Sequence, residues 1–328
     1  RFNSDSNKLE YWEGSVWVQI KTFNPTFDGG SSRGVFSGGD PSRDTNMDYI
    51  TISTRGNGTD FGDFPISNGT GNRGIVGSNT RGFCNGGESP SAGDSHNVIG
   101  KWEFSSTGSA IDFANLTFTS KGGPGLSNAT RAVQCRGYGA PSITHEDVCF
   151  FTMASQQDAV DFGDLISGSS YGGSGIASPT RGVIITSRSA SVNFVNDIEY
   201  VTIATTGSFV DFGDVTNIDN SDFTATAGNS TRGVLAGGQD SPNTQTEISY
   251  VTYATKGNTI KFGDLHTANS YAAAVSDSIT MITGGGQGAT NRMDAINIAT
   301  GGTSVDSGDL TVSKTTMTGS SNGHGGLG

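Results

Sequence analysis

The chain repeats itself about every fifty residues along most of its length, and this self-similarity constrains the fold more than any single residue does. Each copy opens on an Arg-Gly or Arg-Ala pair, at Arg33, Arg81, Arg131, Arg181 and Arg232, with Ile279 at the equivalent place of a sixth copy. A period of this length is typical of β-propellers and solenoids.

The composition agrees with β-structure only once the period is taken into account. Fifty glycines, 33% hydrophobic residues and 15% charged residues would otherwise suggest low-complexity disorder. The glycines, however, recur at matched positions such as Gly38-Gly39 and Gly237-Gly238, where strand-ending turns need positive φ. Short runs of β-branched and aromatic residues lie between them, without helical periodicity. We therefore expect an all-β protein.

Four strand-like segments can be recognised in each copy. In the first copy they span residues 33–38, 47–54, 59–64 and 72–77. Four short antiparallel strands per period make one propeller blade, so the sequence predicts a six-bladed propeller with four-stranded blades.

The fourth segment of each copy consists of small residues, as in 171–177 and 271–275. Because the strands converge at the axis of a propeller, this segment should be the innermost strand of the next blade. The chain then enters blade one at its second strand, near Arg33. A final segment, 315–320, should supply the missing inner strand and close the ring, since an open edge would invite aggregation.

Each copy contains a short Asp-Phe-Gly-Asp motif or a variant of it. Its aromatic position is occupied by Phe61, Phe113, Phe162, Phe212 and Phe262, and by Ser307 in the last copy. Blade sheets pack face to face, so we expect these Phe side chains to form the apolar contact between adjacent blades, each contributing about 1.5 to 3 kcal/mol.

The acidic residues of this motif allow two interpretations. Pairs such as Asp60 and Asp63 could be calcium ligands, but a carboxylate beside glycine more often accepts backbone N–H groups in a turn. A sharper hypothesis is a ladder of charge-assisted hydrogen bonds between neighbouring blades. It would pair Asp63, Asp164 and Asp214 with Arg81, Arg181 and Arg232, respectively.

The charge and the cysteine content exclude several classes of function. A formal net charge of −12 argues against a nucleic-acid partner, which would require clustered Lys and Arg. No apolar run approaches the roughly 18 residues that span a bilayer, so we expect no membrane insertion. Cys84, Cys135 and Cys149 are too few and too odd in number for a disulfide framework. Cys135 and Cys149 could face each other on neighbouring strands of one copy, but we expect all three to be reduced. The four histidines show no zinc spacing, and we expect neither a metal nor another cofactor.

Two family resemblances follow from these motifs. The double glycine, the Tyr of the next strand and the aromatic of a third resemble the kelch repeat, with Phe where kelch repeats usually carry Trp. Residues 1–30 lie outside the repeat, and their Arg-Phe-Asn, Leu-Glu-Tyr-Trp, Glu-Gly and Trp17 resemble a β-hairpin element of bacteriophage tail-fibre proteins. The sequence of the repeat, together with the final segment Ser-Asn-Gly-His-Gly-Gly-Leu, resembles repetitive structural proteins of marine and cyanobacterial phages.

These resemblances imply a virion protein, with the first element at a junction of a trimeric fibre and other virion proteins as partners. The loops between the first and second segments of each copy vary in length and sequence, which is typical of a recognition surface on a rigid ring. They span residues 40–46, 88–97, 138–146, 187–196 and 239–246. Candidate contacts to a host-surface glycan or receptor protein are Arg43, His96, Tyr138, His145, Arg188, Phe194, Gln239 and Arg292.

Three alternatives remain open from the sequence. The propeller could be a purely structural virion component, or a cellular extracellular kelch-like binding protein. An enzyme would need a catalytic cluster, yet His96, His145, His266 and His324 lie in different copies without a shared motif. We therefore expect a non-enzymatic protein.

Overall fold

The computed structural model describes residues 2–3, 8–12, 14–19, 32–40, 45–64, 74–87, 95–138, 145–166, 171–186, 195–216, 224–240 and 243–328. The chain divides into two compact units, Arg1–Gly30 and Ser31–Gly328. This boundary lies just before the first copy of the repeat.

The first unit contains a small antiparallel sheet with the strands Phe2–Asn3, Lys8–Trp12 and Trp17–Gln19. Trp12 and Trp17 lie opposite each other in neighbouring strands, and their ring centroids are 5.5 Å apart. Both rings stay partly exposed, at 52% and 43%.

The second unit is a six-bladed β-propeller, and each blade is a four-stranded antiparallel sheet. We number the blades in chain order and the strands of each blade from the axis outwards. Blade 1 consists of Thr318–Ser321, Arg33–Ser37, Asn46–Thr51 and Thr59–Asp63; blade 2 of Gly74–Gly77, Arg81–Asn85, His96–Glu103 and Ile111–Ser120; blade 3 of Gly125–Ser127, Arg131–Cys135, Asp147–Thr152 and Val160–Asp164; blade 4 of Ser174–Ala177, Arg181–Ile185, Asp197–Thr202 and Val210–Asp214; blade 5 of Ala225–Gly228, Arg232–Ala236, Glu247–Thr252 and Ile260–Asp264; and blade 6 of Ala273–Ser276, Thr280–Gly284, Thr290–Asn297 and Val305–Lys314. The strands Gln239–Asp240 and Asn243–Thr244 form a hairpin within blade 5, and a 3-10 helix spans Gly325–Leu327.

The end of the chain closes the ring, as the sequence predicts. Thr318–Ser321 pairs antiparallel with Arg33–Ser37, with Thr318 opposite Ser37 and Ser321 opposite Gly34. It also contacts the innermost strands of blades 2 and 6, so the six innermost strands form a closed circle. The closing strand begins three residues later than the predicted segment 315–320, because Thr315 pairs with Asp40 outside the blade.

The hydrophobic core is divided into clusters that lie between successive blades. Phe61, for example, packs with Met47 of its own blade and with Trp102 and Phe104 of blade 2. Phe113, Phe162 and Phe212 occupy the equivalent place in the next three junctions, and Phe262 is partly buried in the junction of blades 5 and 6. The repeated aromatic position thus lies where the period predicts. Ser307 is itself buried at that position of blade 6.

The predicted ladder between Asp and Arg side chains is wrong. The guanidinium groups instead donate to main-chain carbonyls at the end of the third strand of the next blade, as in Arg33 Nη1 to Phe104 O (2.9 Å) and Arg131 Nη1 to Ile203 O (2.9 Å). Arg81 bonds Met153 O, Arg181 bonds Tyr253 O, and Arg232 bonds Ala299 O. Four of these arginines also cover an aromatic ring of their own blade, at Tyr49, Phe150, Tyr200 and Tyr250. We call each hydrogen bond from one of these guanidinium groups to a main-chain carbonyl of the next blade an arginine latch.

Asp63, one of the aspartates named in that hypothesis, has a local side-chain partner instead. Asp63 accepts a hydrogen bond from Thr45 Oγ1 at 3.0 Å. The main chain of Asp63 and of its counterparts Asp164 and Asp214 pairs with the next blade, as in Ala110 N to Asp63 O at 2.8 Å. The Asp-Phe-Gly-Asp segment is therefore an edge that holds the following blade through its backbone.

Gly62 illustrates why glycine lies within this segment. Its φ is +139°, and a Cβ atom there would lie 2.6 Å from the carbonyl carbon of Gly108 in blade 2. Side chains are disfavoured both by this backbone conformation and by the close approach of the next blade.

Candidate functional site

The propeller has two distinct faces. On one face the second strand of each blade turns into the third, and the fourth strand leads to the next blade; we call it the loop face. On the other face, which we call the turn face, tight turns such as Ser78–Arg81 join the first and second strands. The axis of the ring runs from one face to the other.

The last seven residues fill the axis at the turn face. His324 is held between blades 2 and 3, with Nε2 2.8 Å from Gly77 O and 3.4 Å from Ser127 Oγ. Its Nδ1 accepts from Gly326 N at 3.2 Å, so the neutral ring with the proton on Nε2 satisfies both contacts. Burial lowers the pKa of His324, although the Gly77 bond acts in the opposite direction. We call residues 322–328 the axial plug.

The backbone of the plug fits tightly against four blades. A Cβ atom on Gly326 would overlap Ser127 O, and one on Gly325 would meet Ala177 O and Asn229 O. Asn322 caps the entry to blade 1, where its Oδ1 accepts from Arg33 N at 2.7 Å. This end of the axis is therefore closed by the chain itself.

At the loop face the axis opens into a cavity of about 120 Å³, which we call the axial mouth. Its wall is built from the beginnings of five innermost strands: Gly122–Gly125, Gly172–Ser174, Thr224–Thr226, Tyr271–Ala274 and Thr316–Gly319. A smaller cavity of about 60 Å³ continues along the axis to His324. The wall thus presents mainly backbone groups and small side chains to anything that enters.

Half-buried tyrosines lie at and beside this mouth. Tyr271 lines it with a φ of +60°, and its hydroxyl donates to Gln239 Oε1 at 2.8 Å. Tyr138 packs edge-on against Tyr171, with ring centroids 6.2 Å apart. Lys121 Nζ lies 4.5 Å from the centre of the Tyr138 ring, and the two residues are also joined by backbone hydrogen bonds.

The predicted contact residues divide into three groups. Tyr138 and Gln239 reach the surroundings of the axial mouth through the contacts just described. His96, His145 and Arg292 lie at the loop-face ends of their blades, and the last two are held by acidic neighbours: His145 Nδ1 is 3.8 Å from Asp147 Oδ2, and Arg292 Nη2 is 2.7 Å from Asp294 Oδ1. Arg43, Arg188 and Phe194 fall outside the described residues.

Sequence reasoning did not select Lys121, Tyr171 and Tyr271 as candidate contacts. A signal was present, because Tyr171 and Tyr271 both stand immediately before the small residues of an innermost strand. That position marks the entrance to the axis, where a large side chain has space only on the loop face.

Among residues that the structure describes, no group of three His, Cys, Asp or Glu side chains is arranged to hold a metal ion. The cysteines are free and buried, and Cys135 and Cys149 lie in clusters on opposite sides of blade 3, so they do not face each other. Burial raises the pKa of Cys149 to about 11 and that of Cys135 well above its usual value, which disfavours the reactive thiolate.

Comparison with known proteins adds no family to this description: no protein-family model matches the chain, and no curated protein matches it significantly. Within the described residues, no helix is both long and apolar enough to cross a membrane.

Proposed function

We propose that this protein is a non-enzymatic bacteriophage virion component, a propeller on a tail fibre or similar appendage, that recognises a carbohydrate of the host surface at its axial mouth. The observation that carries the recognition step is the asymmetry of the axis. One end is filled by the axial plug, whereas the other opens at the loop face, where Tyr271 lines the mouth and the paired rings of Tyr138 and Tyr171 lie on the same face.

The chemistry of the axial mouth favours a sugar over a large apolar ligand. Tyrosine combines an apolar ring with a polar hydroxyl, which suits the mixed C–H and O–H faces of a pyranose. The cavity of about 120 Å³ is close to the roughly 150 Å³ that holds one benzene molecule, so it admits one ring-sized group. Backbone N–H and C=O groups of the wall can orient hydroxyls.

The assignment to a virion rests on the sequence resemblances of residues 1–30 and of the repeat to phage structural proteins. In that setting the first unit would join the propeller to other virion proteins, and the loop face would point towards the host. Antibodies against the chain should label the distal end of a tail appendage in electron micrographs of the particle. Labelling confined to the head or to internal contacts would overturn the assignment.

Carbohydrate recognition can be tested with the purified full chain on a glycan array. A double variant, Tyr138→Ala and Tyr271→Ala, should lose most binding because it removes the aromatic ring that lines the mouth and a second aromatic ring of the loop face. The matched control is Ile279→Ser, which changes an exposed residue on the turn face and should bind as the unaltered chain does. Equal binding by the double variant and the control would refute the axial mouth as the site.

A further inference from the structure

The junction between blades 6 and 1 differs from the other five. The structure places Thr280, one residue after the predicted Ile279, at the position of the latching arginine: Thr280 pairs with Asn297 as Arg232 pairs with Thr252. This junction therefore has no arginine latch. At the loop-face end of the same junction, a lysine is buried between the two blades: Lys314, at the end of the fourth strand of blade 6, is only 2% exposed. No other lysine or arginine of the described residues is buried so deeply.

Lys314 is directed at an asparagine of blade 1. Its Nζ lies 3.0 Å from Asn46 Oδ1 and 3.3 Å from Asn46 O. The amide carbon Cγ is bonded to that oxygen, so the amine lies in contact with the side-chain amide, and a reaction between the two groups needs no large movement. The Nδ2 atom of Asn46 donates to Asp60 Oδ1 at 3.2 Å, which fixes the plane of the amide.

The residue type at position 46 departs from the repeat. Asn46 pairs with Asp63 at the start of the third strand. In blades 3, 4 and 5 the residues that pair in the same way are all acidic: Asp147, Asp197 and Glu247. If Lys314 needed only an ion pair, the Asp or Glu that the other blades carry at this position would provide it. An asparagine instead offers the lysine an amide group whose nitrogen can be displaced.

A buried carboxyl group lies two residues along the same strand. Asp48 is 1% exposed and accepts from Thr311 Oγ1 at 2.5 Å and from Thr311 N at 3.2 Å. Burial raises the pKa of Asp48 against the opposing effects of Thr311 and of the Lys314 charge. A raised pKa makes a carboxylate a stronger base, so Asp48 can accept a proton from a neighbouring group and return it.

We infer that Lys314 and Asn46 form an intramolecular isopeptide bond, with Asp48 as the proton carrier, which joins blade 6 covalently to blade 1. The Nζ–Cγ bond forms and the Cγ–Nδ2 bond of Asn46 breaks. Of the three Nζ protons, one passes to Asp48, one stays on the new amide nitrogen and one moves to Nδ2, which leaves as ammonia. Asp48 then gives its proton to the departing ammonia, and no oxidant or reductant takes part.

The bond is tested by the intact mass of the full chain, measured under denaturing conditions after native purification. The expected mass is lower than that of the translated sequence by one ammonia. Protease digestion should yield a branched peptide that joins the segment with Asn46 to the segment with Lys314. On a denaturing gel the chain should migrate ahead of an uncrosslinked variant, because the cross-link spans 268 residues.

Three variants separate this reaction from unrelated losses of ammonia. Lys314→Arg keeps a positive charge, and Asp48→Asn keeps the shape of the carboxyl group. Both variants should show the full mass of their translated sequence, without loss of ammonia, and should yield no branched peptide. Lys256→Arg, a lysine substitution away from this junction, should retain the cross-link.

The decisive measurement uses the unaltered chain, so it does not depend on whether a variant folds. Separate linear peptides containing Asn46 and Lys314, even after long incubation of the folded protein, would overturn the inference. So would an ammonia loss that maps to other residues.

Discussion

Replacing Phe212 with Ala tests whether the junctions between blades carry the stability of the ring. The ring of Phe212 is 2% exposed, packs with Val251 and Tyr253 of blade 5, and meets Tyr200 edge-on at 5.8 Å. Removing a buried Phe side chain leaves a cavity and costs about 3 to 5 kcal/mol. The matched control is Ser307→Ala, because Ser307 occupies the same position of the repeat in blade 6 without an aromatic ring.

The expected change in Tm follows from the size of the propeller unit, Ser31–Gly328. An unfolding entropy of about 2.1 cal/mol/K per residue amounts to roughly 0.6 kcal/mol/K for such a unit, so Phe212→Ala should lower Tm by about 5 to 8 °C. Differential scanning calorimetry measures this shift directly. A shift in Phe212→Ala no larger than that in Ser307→Ala would refute the view that the Phe contacts hold neighbouring blades together.

Three further changes probe the closing strand, the plug and the latches. Removing the chain from Thr315 onward takes the innermost strand from blade 1, so the tryptophan fluorescence and the circular dichroism of the whole ring should melt together at a lower temperature; an unchanged Tm would contradict closure by this strand. Since burial lowers the folded-state pKa of His324, its contribution to stability is present above pH 6.5 and is lost as the pH falls below that value. Urea denaturation across this range should show that loss in the unaltered chain but not in His324→Gln, and equal pH slopes would count against a neutral buried ring. Arg131→Met removes the latch to Ile203 O while keeping a long side chain, and should cost about 1 to 3 kcal/mol in denaturant unfolding. A cost no greater than that of Arg55→Met, which changes an exposed arginine outside the latches, would argue against them.

Much of the ring was predictable from the sequence because its residues recur in phase. Arg33, Phe61 and their counterparts fix the period, and the small residues of the innermost strands fix the order of strands within a blade. The partners of the arginines were not predictable, because spacing brings Asp63 near the next copy but does not reveal that main-chain carbonyls are closer. Every residue has a main-chain carbonyl, so the sequence does not show which carbonyl an arginine side chain binds.

The candidate site was only partly accessible to the same reasoning. Tyr138 and Gln239 were selected as candidates because they interrupt the repeat within variable loops. Tyr271 was overlooked because it belongs to a segment that otherwise indicates axial packing. The axial plug could not be foreseen either: residues 322–328 have no counterpart in the repeat, and their contacts reach blades far apart in the sequence.

The pairing of the closing strand with Arg33–Ser37 has a consequence for biosynthesis. Ser37 and Thr318 are 281 residues apart. During synthesis, blade 1 therefore lacks its innermost strand and remains a three-stranded sheet until nearly all of this chain has been made. At about 5 to 20 residues per second, that interval lasts on the order of 14 to 56 seconds. During this time the backbone edge of Arg33–Ser37 is open to any extended segment, including the same edge of a second nascent chain. Expression at high concentration should therefore favour strand-exchanged dimers, and slow synthesis should make that hazard worse.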